Sequence, residues 1–137
     1  MKKVVRIGLV LAMMALCVAN AFAGGSSENA AGAGRTYTVG VCQLVQHNAL
    51  DAATKGFEDA LKDKLGDSVK IVEQNASGDV ATCITIINGF VSSNVDLIMA
   101  NATPALQAAQ AATGDIPILG TSVTDYGTAL GMENFTG

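Results

Sequence analysis

The sequence predicts an α/β protein in which a parallel sheet is covered by helices on both faces. Two observations support this prediction: short apolar runs alternate with amphipathic segments from residue 37 to residue 120, and the connections between them are short. Parallel neighbours need crossover connections, and strands that are buried on both faces are apolar along their whole length. The expected order is therefore strand and helix in alternation, from a first strand to a fourth.

The first strand is predicted at residues 37–44, YTVGVCQL, because this run is rich in β-branched and apolar side chains. A helix follows, since five apolar residues recur at spacings of three and four and so share one helical face. These residues are Leu50, Ala53, Phe57, Leu61 and Leu65. Asn48 is predicted to cap this helix, and Gly66 marks its end.

The remaining elements follow from the same patterns. Their predicted ranges in chain order are strand 69–73, helix 80–94, strand 95–100, helix 104–113 and strand 116–120. Pro117 has no N–H to donate, so it indicates that the fourth strand is an edge strand, or that the proline stands at its start. Residues 121–137 show no clear helical pattern, and the sequence is interpreted as a fragment of something longer.

The first 23 residues have the pattern of a signal peptide. Three basic residues precede an apolar run over residues 7–18, and the following Ala-Phe-Ala fits signal peptidase, so cleavage is predicted after Ala23. The run is too short to span a bilayer of about 30 Å. Leu16 is a poor fit before a lipid-bearing Cys17, which favours a processed protein that does not span the membrane over a lipid-anchored one.

Residues 24–36 are predicted to be a flexible linker, because they contain no apolar side chain larger than alanine. Beyond residue 23, twelve acidic residues oppose five basic ones, which gives a formal charge of −7. Nucleic acid needs clustered lysine and arginine to neutralise its phosphates. The exported chain is therefore not expected to bind nucleic acid.

Two cysteines, Cys42 and Cys83, remain after processing. Neither belongs to a CxxC pair, and the only histidine, His47, is not spaced from them as a zinc ligand would be, so no metal site is predicted. The two could form a disulfide if the first strand lies under the second helix. Both sit in apolar runs, where free cysteine packs as a small hydrophobe, and buried free thiols are the favoured interpretation.

Ligands of open parallel sheets bind beyond the carboxyl ends of the strands, near the point where the strand order reverses. In this sequence, small or polar residues follow the apolar strands at those ends. The candidate ligand-binding residues are Gln46, His47, Asn101, Thr103, Pro104, Ala105, Thr124 and Asp125.

The third helix offers a place for an anion. Thr103 is predicted to be its N-cap and Pro104 its first residue. The free amides of Ala105 and Leu106 would then direct the helix's partial positive charge at a carboxylate or phosphate. Thr103 could instead merely cap its own helix. Asp125 could pair with an ammonium group beside that carboxylate, as an α-amino acid requires, or could be a turn or capping residue.

The sequence contains no clear catalytic or cofactor motif. No G-x-S-x-G elbow precedes a helix, the Rossmann glycines are missing after the first strand, and there is no Walker lysine. Catalysis by an imidazole would have to use His47. No catalytic residue and no cofactor is therefore predicted.

Four segments of the sequence together resemble the periplasmic substrate-binding proteins of ABC importers, in the branch associated with tryptophan and tyrosine uptake. They are YTVGVCQLVQHNALDAATKGFEDAL, QNASGDVATC, VDLIMANATPALQAAQAAT and IPILGTSVTD, and they cover residues 37–125. The resemblance implies a type I periplasmic binding fold. Residues 37–137 would be its N-terminal ligand-binding lobe, with the second lobe absent from this sequence.

The resemblance also implies roles for three loops. The ATPA segment at residues 102–105 would grip the ligand carboxylate, the VTD segment at residues 123–125 would meet the amine, and the loop from Gln46 would line the cleft near the side chain. The family often has Glu-His-Pro at residues 46–48, and proline where Tyr126 stands, so the resemblance does not fix the ligand. Tyr126 could stack on a ligand ring or pack against the second lobe.

The expected function is that of a non-enzymatic carrier. It would bind a small amino acid-like solute, aromatic ones included, in the periplasm and deliver it to an ABC permease in the inner membrane. Two alternatives stay open: an extracytoplasmic ligand-sensing domain of a receptor, and an exported α/β enzyme that uses His47.

Overall fold

The computed structural model of the protein describes residues 34–133, 135 and 136, so the predicted signal peptide (1–23) and most of the predicted linker (24–36) lie outside it. The described sheet consists of parallel strands, namely β1 (Tyr37–Gln43), β2 (Val69–Asn75), β3 (Leu97–Asn101) and β4 (Ile118–Thr121). Their spatial order is β2-β1-β3-β4, so the order reverses between β1 and β3. That reversal is where an open sheet forms its ligand crevice.

Four helices connect or follow these strands in the described part of the chain. They are α1 (Asn48–Leu65), α2 (Val80–Ser92), α3 (Thr103–Ala112) and α4 (Tyr126–Leu130), with a 3₁₀ turn at Gly66–Ser68. The alternation and the approximate ranges are as predicted. The short α4 was not predicted, because five residues cannot show a helical period; its end is set by Gly131, which adopts the left-handed conformation with φ 64°.

β3 begins at Leu97 rather than at residue 95 as predicted. The Asp96 carboxylate accepts the backbone N–H of Thr38 at 2.8 Å and is paired with the guanidinium of Arg35. Asp96 thus ties the start of β3 to the start of β1 through its side chain, a role that the strand propensity of residues 95 and 96 does not indicate.

Each face of the sheet carries its own apolar cluster. On one face, Phe57 and Leu61 of α1 pack against Val39, Val41 and Met99. The opposite face packs against α2, α3 and α4 in a larger cluster whose buried members include Ile87, Phe90, Ile98, Leu106 and Ala129. Helices therefore cover both faces, and the predicted fold class is confirmed.

Gly40 shows how closely a helix approaches the sheet. A Cβ atom at this position would lie 2.6 Å from Cδ2 of Phe90, well inside van der Waals contact. Glycine in a strand interior often marks a site where another group comes close. The ring of Phe90 therefore occupies the space that a side chain at residue 40 would need.

Cys42 and Cys83 are free thiols and are both buried between β1 and α2, so the favoured prediction is confirmed. Burial raises the pKa of Cys42 to about 12, and the neighbouring Cys83 thiol adds to the shift. The thiolate is the reactive form of cysteine. Both residues consequently act as core side chains in the folded protein.

β4 is an edge strand of the described sheet, as predicted from Pro117. Pro117 itself directly precedes the first residue of the strand. The carbonyl of Pro117 still accepts the N–H of Ile98 at 3.0 Å. Among the helices of the described residues, none has the length and apolar character that a bilayer crossing requires.

Candidate functional site

The carboxyl ends of the strands share one edge of the sheet, and strained backbone is concentrated there. Ser77 after β2, Ala102 after β3 and Ser122 after β4 have positive φ angles of 55°, 96° and 56°. Residues other than glycine adopt such angles uncommonly, and positions held there cluster at ligand sites. Among the described residues, Asn94 before β3 is the other non-glycine residue with a positive φ, so most of these residues lie at the edge that the topology predicts for a ligand.

Ala102 is the most strained of these residues. Its φ of 96° and ψ of 158° lie in a region that is essentially restricted to glycine. Its N–H donates to the carbonyl of Thr121 at 2.9 Å, and its carbonyl accepts the N–H of Leu106 at 3.1 Å. Both neighbouring elements, β4 and α3, thus hold the peptide in this conformation.

The start of α3 differs from the prediction by one residue. Ala102, not Thr103, is the N-cap; Thr103 is the first helical residue, Pro104 the second, and no side chain caps the helix. The N–H of Leu106 was predicted to be free, but it makes the first hydrogen bond of the helix. The conformation of Ala102 turns the chain into the helix one residue early, so Thr103 lies inside the helix and no longer occupies the cap position.

This start leaves backbone donors without partners from the helix itself. The first N–H groups of any helix lack intrahelical acceptors, and Pro104 has no N–H, so the amides of Thr103 and Ala105 carry the helix's partial positive charge. Thr103 and Pro104 are partly exposed, whereas Ala105 is fully buried in the core. An anion at this point would therefore meet Thr103 first.

His47 is the N-cap of α1, so the prediction that Asn48 caps this helix is wrong. The Nδ1 atom of His47 accepts the N–H of Ala49 at 3.2 Å, and its carbonyl accepts the N–H of Asp51 at 2.8 Å. Because Nδ1 acts as an acceptor, the neutral ring carries its proton on Nε2. His47 and its neighbour Gln46 are both exposed.

Asp125 caps α4. Its two carboxylate oxygens accept the N–H of Thr128 at 3.0 Å and the Thr128 hydroxyl at 3.1 Å. The N–H of Thr128, and after it the Thr128 hydroxyl, hold the pKa of Asp125 below its ordinary value of 3.8. Asp125 and Thr124 are exposed, so a negative charge stands at the end of β4 and faces solvent.

Tyr126 packs against its own lobe. Its hydroxyl donates to the carbonyl of Gly120 at 2.8 Å, and its ring stacks on Phe135 with 6.0 Å between the centroids. These contacts use both the polar and the apolar part of the side chain. Tyr126 therefore serves here as an anchor of α4 on β4.

A buried polar network lies beneath the start of α1. It joins Gln43 at the end of β1, Asn101 at the end of β3, and Thr54 in α1, which are 1%, 0% and 3% exposed. Asp51 extends the network toward the surface by accepting the Gln43 amide at 2.6 Å. The predicted site residue Asn101 is thus turned under α1, where its Oδ1 has no hydrogen-bond partner within the described structure.

Gln43 was not predicted as a site residue, although its place in β1 carries a signal. Gln43 and Val41 occupy alternate positions of β1 and so point to the same, α1-covered face. A polar residue at an inward-facing position needs partners for its amide. That reasoning would have singled out Gln43 before the structure.

The predicted residues line several depressions at this edge. Gln46 lies in an open groove of about 990 Å³ between α1 and β2, Pro104 in one of about 370 Å³ between α2 and α3, and Asp125 in one of about 290 Å³ beside α4. The first groove is also lined by Gln43, Asp51, Glu73, Asn75 and Ser77. The groove at Pro104 extends along α2 and α3 as far as Asn88 and Ala112, away from that edge, so the predicted residues do not line one common cavity.

Known proteins share this arrangement of elements. Residues 38–133 match the family described as ABC transporter substrate binding protein. The chain belongs to this family. The match covers every strand of the sheet, all four helices and the loops that carry the candidate residues.

Individual members of the family are similar in sequence and structure. A tyrosine-binding protein of Clostridioides difficile (strain R20291) is 45% identical over 121 residues, which are 85% of this chain and 35% of that protein. The ligand-free, open structure of a substrate-binding protein with adhesive properties from Clostridium difficile is 44% identical, with a TM-score of 0.66, over 69% of this chain and 33% of that one. A Streptococcus pneumoniae ABC domain in complex with L-Trp is 36% identical, with a TM-score of 0.65, over the same shares of the two chains.

These similarities confirm the resemblance to amino acid-binding substrate-binding proteins and the type I α/β lobe that it implied. The relatives are binding proteins of transporters rather than enzymes. The chain spans about a third of the length of the relatives it matches, 33% to 35%. The roles of individual site residues stay predictions.

Proposed function

We propose that this chain supplies a ligand-binding lobe of a periplasmic carrier that binds an amino acid, with tyrosine and tryptophan as the first candidates, and delivers it to an ABC permease. Membership of the substrate-binding family supports the carrier role, and the relatives named for tyrosine or solved with L-Trp support the ligand class. The predicted signal peptide supports export.

The uncapped start of α3 is the observation that carries the ligand contact. Among the described helices, α3 is the one whose first turn has no side-chain acceptor, and it begins beside the reversal of strand order. Amides at such a start attract a carboxylate, because the unpaired N–H groups and the helix dipole act in the same direction. In this proposal, the amides of Thr103 and Ala105 and the hydroxyl of Thr103 hold the carboxylate of the amino acid, and Pro104, which has no N–H, lines the contact between them.

Asp125 is the proposed partner of the ligand's ammonium group. Its carboxylate can accept further hydrogen bonds, because a carboxylate offers about four acceptor positions and the capping bonds from Thr128 use two of them. Its lowered pKa keeps it ionised at neutral pH. An ammonium group approaching from solvent would therefore find a charged and exposed acceptor.

The loop from Gln46 to His47 is proposed to contact the ligand's side chain. Gln46 offers an exposed, uncharged amide, and the exposed Nε2–H of His47 offers a hydrogen-bond donor. A phenol or an indole needs an apolar surface with one polar partner. A second lobe, brought over this edge by hinge closure, would complete the enclosure.

Calorimetry on the full-length protein with L-tyrosine and L-tryptophan tests this function. Thr103→Val should weaken binding by about 1 to 3 kcal/mol, the range for losing a hydrogen bond to a charged group. Thr103→Ser keeps the hydroxyl and serves as the control, with affinity close to that of the wild type. Absence of saturable binding by any amino acid would show that the ligand class is wrong.

A further inference from the structure

We propose that Gln43 is a positioning residue of the ligand site: through its buried side-chain amide it holds the loop from Leu44 to His47 in register with the segment from Asn101 to Thr103, and it thereby sets the affinity for the amino acid. This inference rests on the proposed function. Gln43 itself lies below the surface, 1% exposed, and acts through its neighbours.

The Gln43 amide is hydrogen-bonded on both its nitrogen and its oxygen. Nε2 donates to the carbonyl of Val45 at 3.0 Å and to the carboxylate of Asp51 at 2.6 Å. Oε1 accepts the hydroxyl of Thr54 at 2.7 Å. The Nδ2 of Asn101 lies 3.4 Å from Oε1, but its two hydrogens are directed at closer acceptors at 2.9 Å, so this fourth contact is weak.

One arm of this network controls the loop after β1. Asp51, which Gln43 holds at 2.6 Å, accepts the backbone N–H of His47 at 3.4 Å, and the carbonyl of His47 accepts the N–H of Asp51 at 2.8 Å. Together with the bond to the Val45 carbonyl, Gln43 fixes the loop at both of its ends. The exposed residues between them, Gln46 included, take their positions from these bonds.

The other arm reaches the loop after β3. Gln43 and Asn101 are register partners in adjacent strands, and the N–H of Leu44 donates to the carbonyl of Asn101 at 3.2 Å. The Nδ2 of Asn101 is held at 2.9 Å by both the Leu50 carbonyl and the Thr54 hydroxyl. The next residue is the strained Ala102, from which α3 begins, so the position of Asn101 determines where the amide of Thr103 points.

A network of this kind is costly to bury, and apolar residues would stabilise the lobe at least as well. Replacing a whole set of paired polar groups with apolar groups of the same shape is often close to neutral for stability, whereas removing one partner leaves the others buried and unpaired. Leu44 packs against the larger apolar cluster, which helps to place the start of the first loop. The Gln43 amide adds the bonds to Val45 and Asp51 that position the exposed residues after it. Replacing Gln43 is therefore expected to lower ligand affinity even in the protein that stays folded.

The test is to compare Gln43→Met with Val41→Ala in the full-length protein. Methionine keeps the length of the side chain but has no amide, whereas Val41→Ala removes core volume on the same strand and the same face. Calorimetry with L-tyrosine and L-tryptophan is done well below the melting temperature of both variants. We expect Gln43→Met to lose at least about 10-fold in affinity, which is the scale of losing a hydrogen bond to a charged group. Val41→Ala should bind like the wild type.

A double-mutant cycle distinguishes positioning from general damage. Asp51→Ala should weaken binding by a similar factor, and the double variant Gln43→Met with Asp51→Ala should be little weaker than either single variant, because the two residues act in one chain of contacts. If Gln43→Met does not fold, Thr54→Val, which has nearly the same shape, removes two bonds of the same network, one to Gln43 and one to Asn101, and should weaken binding several-fold.

The outcomes separate the two proposals. Wild-type affinity in folded Gln43→Met, or in Thr54→Val if the former does not fold, would overturn the role of Gln43 while leaving the proposed function intact. Multiplicative losses in the double variant would also overturn it. A wild-type protein that binds no amino acid would overturn the proposed function, and the role of Gln43 with it.

Discussion

α1, α2 and α4 begin in one way, and α3 begins in another. His47 caps α1 through its ring nitrogen, Asp79 caps α2 by accepting the N–H groups of Ala81 and Thr82 at 3.3 and 2.9 Å, and Asp125 caps α4. α3 starts from Ala102 with no side-chain acceptor. All four starts lie at the carboxyl edge of the sheet, so they are in the same solvent and the same topological position relative to a strand.

The difference shows which start is available to a ligand. In a capped helix, a side chain accepts some of the free N–H groups of the first turn. In an uncapped helix, these N–H groups must donate to water or to an acceptor from outside the helix. Positive φ angles also precede α2, at Ser77, and α4, at Ser122, but Ala102 before α3 is the residue that lies in a region essentially restricted to glycine, with φ of 96° and ψ of 158°. An arrangement that lacks a common and stabilising cap, and that is strained in addition, is expected where binding rather than folding has set the conformation.

The largest effect is expected from placing a charge at the uncapped start. Thr103→Asp puts a carboxylate where the ligand's carboxylate is proposed to lie. Binding of L-tyrosine should weaken by about 3 kcal/mol, or more than about 100-fold, through lost hydrogen bonding and like-charge repulsion. Stability should rise by about 0.3 to 1 kcal/mol, because an acidic residue is favourable in the first turn of a helix.

Calorimetry and urea unfolding of the same preparation measure the two quantities. Thr103→Asn, with nearly the same shape and no charge, is the control and should show a much smaller loss of affinity. Opposite signs for stability and binding would sharpen the contrast between α3 and the capped helices. Unchanged affinity in Thr103→Asp would contradict this comparison, because the start of α3 would then be no more available to a ligand's carboxylate than the capped starts are.

A smaller effect is expected from relaxing the strain. Ala102→Gly should stabilise the protein by about 1 kcal/mol, because relief of a conformation that costs about 1 to 3 kcal/mol exceeds the added freedom of the unfolded chain. Ligand affinity should fall a few-fold, since the amide of Thr103 would be less firmly held. Urea unfolding and calorimetry measure both.

The control for Ala102→Gly is Ala111→Gly, at an exposed position within α3. Glycine there should destabilise the protein by about 0.5 to 1 kcal/mol, the ordinary helix penalty. Destabilisation by both substitutions would mean that the backbone at residue 102 is not strained, and the account of why α3 starts early would be wrong.

The sequence was sufficient for the fold because each element carries a repeated signal. The spacing of Leu50, Phe57 and Leu61 specifies one helical face several times over, and the apolar strands leave little choice but a doubly covered parallel sheet. Boundaries depend on single contacts instead. The cap of α1 is His47 rather than Asn48 because of one ring nitrogen, which composition does not show.

The site was less predictable because its features are three-dimensional. That residues after β1, β3 and β4 share an edge follows from topology, and it was predicted. The positive φ of Ala102 could not be predicted, because alanine does not favour this region of backbone conformation. The network around Gln43 likewise depends on the register between β1 and β3, which places Gln43 beside Asn101.

The smallest effect is expected at a capped start, where Asp79→Ala removes the acceptor from α2. The Thr82 hydroxyl, and after it the Thr82 N–H, hold the pKa of Asp79 below its ordinary value of 3.8. A carboxyl whose folded-state pKa is lowered stabilises the fold above its unfolded-state value and loses this contribution as the pH falls through the folded-state value. Asp79→Ala should therefore have a lower urea midpoint than the wild type at neutral pH, and the gap should close in acid.

Ligand affinity should not change in Asp79→Ala, because α2 starts after β2, one strand away from the reversal of strand order. Asp63→Ala, an exposed aspartate in the body of α1 that caps no helix, is the matched control, and its urea midpoint at neutral pH should be no lower than that of the wild type, because alanine is the better helix former. A loss of affinity in Asp79→Ala comparable to that of Thr103→Val would place α2 in the ligand site as well. The distinction between capped starts that serve folding and an uncapped start that serves binding would then not hold.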